Sequence, residues 1–131
     1  MQNFIYNDGG RKAAGYKGLA SDCGARAMSI ALGMGYQAAY DHIAHANQKH
    51  HGKKSARNGV DKYIYANVLS VFNWVWKPAP KFEGRKARCS DMPPGTVIAR
   101  QAGHFVAVVN GVPQDTWDCS DKMVYGYWVK C

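Results

Sequence analysis

The strongest constraint on the fold is the run His104-Phe-Val-Ala-Val-Val109, which leads directly into Asn110-Gly111. Asn-Gly is a favoured centre for a two-residue hairpin turn, because both turn residues need positive φ. The run is short and rich in β-branched residues, which argues for a strand. A strand, a tight turn and a returning strand from Val112 to Trp117 are therefore predicted. The turn also sets the register. Val109 faces Val112, facing residue numbers sum to 221, and so His104 faces Trp117 while Val106 faces Asp115. Strand alternation then places His104, Val106, Asp115 and Trp117 on one face and Asp118 on the other unless a bulge intervenes.

The first half of the chain has a different period. After a glycine-rich opening with one short apolar run, Phe4-Ile5-Tyr6, read as a strand or packed arm followed by loop, helical spacing begins at Cys23. Ala27, Ile30, Ala31 and Met34 form its stripe, Ser21 and Asp22 are competent N-cap residues, and Gly33 and Gly35 supply the stop. A second helix is predicted from about Gln37 to His50, with Tyr36, Ala39, Tyr40, Ile43 and Ala46 or Asn47 inward and His42, His45 and Lys49 outward. Asp61 can cap a third, whose stripe is Ile64, Tyr65, Val68, Leu69 and Phe72. Further strands are predicted at Trp74 to Trp76, Thr96 to Ala99 and Met123 to Val129. Helices first and an antiparallel sheet second describe an α+β domain, taken as a single unit over 1–131 with 1–20 as its N-terminal arm.

Composition excludes several classes. At 131 residues, 47% hydrophobic and 20% charged, the chain can bury a core and is not a disordered tail. No apolar run reaches the roughly 20 residues of a membrane span, and Met1 to Lys17 is broken by Asn, Asp and Gly where a signal peptide needs apolar continuity. A soluble, cytoplasmic protein without membrane partners is expected, with Cys23, Cys89, Cys119 and Cys131 reduced. There is no CxxC pair, and the histidines do not alternate with cysteines at zinc-site spacing, so no metal or other cofactor is expected. Lys and Arg outnumber Asp and Glu by 17 to 9. The excess clusters at Lys49, Lys53, Lys54 and Arg57 and again at Lys77, Lys81, Arg85, Lys86 and Arg88. Such clusters read first as solvated loops, and a nucleic-acid contact is the alternative.

A cysteine in the first turn of a helix meets unpaired N–H groups and a partial positive charge, both of which favour thiolate. Cys23 is thus a candidate nucleophile, against the plainer reading of a small core residue. His104 is the candidate base and Asp115, a diagonal neighbour on its face, the candidate orienting group, with Trp117 beside both to limit water. The plainer alternative is a strand-edge histidine beside a surface aspartate.

These residues resemble a known family. His104-Phe-Val-Ala-Val-Val-Asn-Gly, followed by Asp115-Thr-Trp117 and Tyr125-Gly-Tyr-Trp128, resembles the C-terminal half of papain-like cysteine peptidases. Asp22-Cys23-Gly24-Ala25 resembles the corresponding run of bacteriocin-leader peptidases in that superfamily. Over roughly 21–129 the pattern is similar to small papain-like proteins encoded by tailed bacteriophages. The resemblance implies a minimal papain-like fold and a Cys23-His104-Asp115 triad. Such a protein would work in the host cytoplasm on an amide or isopeptide bond of a host protein. Three departures stand out. His104 follows Cys23 by 81 positions, where papain itself has about 130 or more. The third member is Asp in place of Asn, and Lys17 stands where papain-like enzymes carry the oxyanion Gln. The Cys23 N–H, with Ser21 or Lys17, is the candidate substitute. A catalytically silent module that binds a host protein or nucleic acid, for example to counter host defence, is the rival reading.

Overall fold

The computed structural model describes residues 3–16, 22–52, 56 and 59–131. Three helices, α1 (Cys23–Leu32), α2 (Tyr36–His51) and α3 (Lys62–Val71), precede most of a six-stranded sheet. Its strands are β1 (Ile5–Tyr6), β2 (Trp74–Pro78), β3 (Thr96–Gln101), β4 (His104–Val109), β5 (Val112–Asp115) and β6 (Val124–Lys130), ordered β1-β5-β4-β3-β6-β2. The α+β class is as predicted, but the sheet is mixed and not antiparallel throughout. β1 runs parallel to β5, pairing Ile5 with Gln114 and Tyr6 with Asp115. The Asn7 N–H continues the ladder to the Asp115 carbonyl, and the Asn7 amide donates to the Gln114 side chain, both at 2.9 Å.

The hairpin takes the register its turn dictates. Val109 pairs with Val112, Val108 with Pro113 and Ala107 with Gln114, and Asn110 and Gly111 have φ of 49° and 82°. β5 is shorter than predicted, ending at Asp115. The Thr116 N–H donates to Asp115 Oδ1 at 2.7 Å, and that local bond competes with the ladder and bends the chain away. A second two-residue turn, Ala102-Gly103, was not foreseen. It carries β3 on to Gln101, which pairs with His104, and Gly103 accepts its φ of 62° without penalty.

Alternation sorts the strand residues between two layers. Ile98, Phe105 and Trp128 join the helical layer around Met28, Ile43, Tyr65 and Leu69. Val97, Ala99, Val106, Val108 and Val124 pack on the other face with Cys89, Met92 and Cys119. Tyr65 stacks on Phe105 with ring centroids 4.4 Å apart and donates its hydroxyl to the Gly24 carbonyl at 2.8 Å. This contact seats the first turn of α1 against the start of β4. Asp61 caps α3 by accepting from the Ile64 N–H at 2.9 Å. Asp22 does not cap α1 with its side chain, because Arg11, Arg26 and Tyr36 take its carboxylate. His42, His45 and Lys49 are exposed, as their helical phase requires. Among the described residues no helix is long and apolar enough to cross a membrane.

Candidate functional site

Cys23 opens α1 and His104 opens β4, and the two meet where the helix abuts the strand. His104 and Asp115 are 7% and 4% exposed, so their interaction is shielded from water. His104 Nε2 lies 2.5 Å from Asp115 Oδ2. The Cys23 thiol lies close enough to His104 for each to shift the other's titration.

The electrostatics follow from these contacts. Burial pushes the Cys23 thiol up, but the hydrogen bond and charge of His104, the Phe105 N–H and the Arg26 charge together hold it below an ordinary thiol. Burial pulls the His104 imidazolium down. Asp115, Cys119 and Cys23 more than offset this and raise its pKa to about 11. Burial likewise disfavours the Asp115 carboxylate, and His104, the Thr116 N–H and Arg26 overcome it, leaving its pKa lowered. The pair loses its first proton from Cys23, which leaves thiolate beside imidazolium, and it titrates as one unit.

Asp115 is held at both oxygens. Oδ2 faces His104 and accepts from Cys119 Sγ at 3.6 Å. Oδ1 accepts from Arg26 Nη1 at 2.7 Å and from the Thr116 N–H at 2.7 Å. Trp117 lies on a bend and not on the strand, yet its ring centroid is 4.9 Å from that of His104. At 42% exposed it covers the imidazole from the solvent side. Asp118 turns away and bonds the Ser120 hydroxyl and N–H at 2.6 and 3.0 Å. Lys17 and Ser21, the candidate oxyanion groups, lie outside the described residues.

Behind the dyad sit two further thiols, Cys89 and Cys119, both fully buried. The neighbouring Cys89, then burial, pushes Cys119 far up, so it stays a neutral donor toward Asp115. Gln101 Nε2 donates to the Cys119 and Lys122 carbonyls at 3.0 and 3.3 Å, fixing the loop that brings Cys119 in. His104, Asp115 and Cys119 are the group able to share a metal ion among the described residues, with ligand atoms within 4.8 Å of one another. Those same atoms are engaged in the hydrogen bonds just described.

Arg26 and Cys119 went unassigned in the sequence reading. Arg26 is the one charged residue of α1 and stands four residues after Asp22, a spacing that signals an ion pair; its bond to Asp115 spans 89 positions. Of the second basic cluster, Arg85 is engaged with Asp91 at 2.8 and 2.9 Å and Arg88 lies 3.8 Å from Asp121. Lys53, Lys54 and Arg57 of the first lie outside the described residues. No protein-family model, curated protein or solved structure matches the chain.

Proposed function

We propose that this protein is a papain-like cysteine hydrolase, phage-encoded and directed at an amide or isopeptide bond of a host protein. The observation that supports it is a single imidazole, His104, joined to Asp115 through Nε2 and placed beside Cys23 at a helix start. Those are the parts acyl transfer through a thioester requires. The Cys23 sulfur attacks the carbonyl carbon, and the oxyanion that forms meets the unpaired N–H groups of the first turn of α1. The C–N bond breaks as the His104 imidazolium gives its proton to the leaving amine. Water then attacks the thioester, His104 takes its proton, and the acid leaves as Cys23 regains its place in the ion pair. Asp115 holds the ring and the charge throughout.

The acyl half-reaction can be tested without the natural substrate. Incubation with p-nitrophenyl acetate should give a burst of p-nitrophenolate equal to the protein present, with the acetyl group mapped to Cys23. Cys23→Ala and His104→Ala should abolish it. A burst that survives in Cys23→Ala, or acetyl found only elsewhere, would refute the reading. The silent binding module is favoured by one feature of the sequence, Lys17 six residues before Cys23, where the resemblance implies Gln. It predicts an acetylated Cys23 that is never turned over.

A further inference from the structure

We infer that Arg26 is a positioning residue for this site, holding the Asp115 carboxylate toward His104 from the same helix that carries Cys23. The inference rests on the hydrolase reading above. A carboxylate that touches His104 through one oxygen alone can rotate, and its grip on the imidazole loosens with it. Here the second oxygen is anchored. Arg26 Nη1 donates to Asp115 Oδ1 at 2.7 Å and to Thr116 Oγ1 at 2.8 Å, which also fixes the bend that ends β5. Its Nε donates to Asp22 Oδ1 at 3.1 Å, so the planar fork spans two carboxylates, a geometry a lysine cannot reproduce.

The guanidinium is itself held. Asp22 Oδ2 lies 2.9 Å from Arg11 Nε and accepts from the buried Tyr36 hydroxyl. The side chains form a row of alternating charge, Arg11, Asp22, Arg26, Asp115, His104 and Cys23, running from the N-terminal arm to the sulfur. Cys23 and Arg26 share the first turn of α1, so the fork ties the helix bearing the thiol to the strand bearing the carboxylate. The Arg26 charge also favours thiolate at Cys23. A salt bridge serving stability alone would have no reason to address both the residue preceding the thiol and the carboxylate behind the base.

The test uses the full chain with Arg26→Gln and Arg26→Lys. Iodoacetamide alkylation of Cys23 is followed from pH 4.5 to 9.5 by peptide mapping, acylation by p-nitrophenyl acetate is timed, and thermal melts identify the folded range. In Arg26→Gln the alkylation midpoint should rise by about one pH unit, as loss of a nearby opposite charge implies. Arg26→Lys keeps the charge, so its midpoint should return toward the wild type. Its acylation should stay slower by roughly tenfold or more, because orientation is lost. A wild-type acylation rate in Arg26→Lys overturns the inference, as does an unmoved midpoint in Arg26→Gln, even if the melting temperature falls. A wild-type midpoint near that of a free thiol, about 8.5, overturns the hydrolase reading itself. A low wild-type midpoint with unmoved variants overturns the Arg26 role alone.

Discussion

Asp115→Asn isolates the charge behind His104 while keeping the shape of the side chain. A carboxylate can accept on both oxygens, whereas an amide has one acceptor. At position 115, Oδ1 already accepts from Arg26 and the Thr116 N–H. The amide oxygen should remain there, leaving NH2 facing His104 Nε2. That nitrogen must then be an acceptor, so the imidazolium that pairs with the Cys23 thiolate is disfavoured. Without its partner charge Cys23 reverts to a thiol, and a thiol of ordinary pKa is only roughly 0.3% thiolate at pH 6. The loss of thiolate is partly offset, because a low-pKa thiolate is the weaker nucleophile. Alkylation at pH 6 should therefore slow, and become equal to or faster than wild type near pH 9.5. The buried hydrogen bond to Arg26 survives, so the stability cost should stay at about 1–3 kcal/mol, within the reserve of a typical domain. Iodoacetamide rates mapped to Cys23, with circular dichroism to confirm folding, give the answer. Asp118→Asn, altered in an exposed turn, should change the rate less than twofold. A drop in Asp118→Asn with Asp115→Asn unaffected would refute the reasoning.

Gly126→Ala should destabilise the sheet by about 1–3 kcal/mol, because an added Cβ would stand 2.2 Å from Trp76 Cζ2 and 2.8 Å from the Lys77 carbonyl oxygen; a urea midpoint equal to wild type would contradict this. Gln101→Leu removes its donor from the Lys122 carbonyl and one of two donors from the Cys119 carbonyl, which keeps the Lys122 N–H, and should cost about 1–2 kcal/mol, with faster alkylation of Cys119 as its loop loosens. Stability should fall as pH rises above about 8.5, where the unfolded chain has lost the thiol proton while the folded pair keeps its proton on His104. His104, raised to about 11, loses its contribution as pH climbs from 6.5 toward that value. Cys23, lowered, loses its own as pH falls from the ordinary thiol range through its folded value. Between the two ordinary values the folded ion pair and the unfolded neutral pair bind the same number of protons. Urea melts showing stability unchanged or rising above pH 8.5 would refute the ion pair.

Local patterns carried much of the fold. Asn110-Gly111 fixed the β4–β5 register because a two-residue turn leaves no freedom, and the helical stripes marked the inward faces of α2 and α3. The structure departs from the pattern where distant residues intervene. β1 lies parallel to β5 because an arm from the chain's start adds to an edge that no local signal describes. The bend that removes Trp117 from β5 comes from the Asp115 carboxylate taking the Thr116 N–H, a choice tied to Arg26 on a helix far upstream. Ala102-Gly103 is a weak turn signal by composition, so the full length of β3 was not visible. Of the site, Cys23, His104 and Asp115 were legible from helix start, strand start and register. The partners that tune them were not, because Arg26 and Cys119 reach Asp115 only in the folded chain.

The most direct test of an activated Cys23 sets it against the other thiols of the same molecule. Cys131 is exposed while Cys23 is partly buried and Cys89 and Cys119 are buried, so access alone favours Cys131. With limiting iodoacetamide at pH 6, followed by peptide mapping, Cys23 should be modified first, by on the order of tenfold or more over Cys131, because only thiolate reacts. Labelling led by Cys131, with Cys23 protected or equal to the rest, would contradict an ion pair at Cys23 and His104.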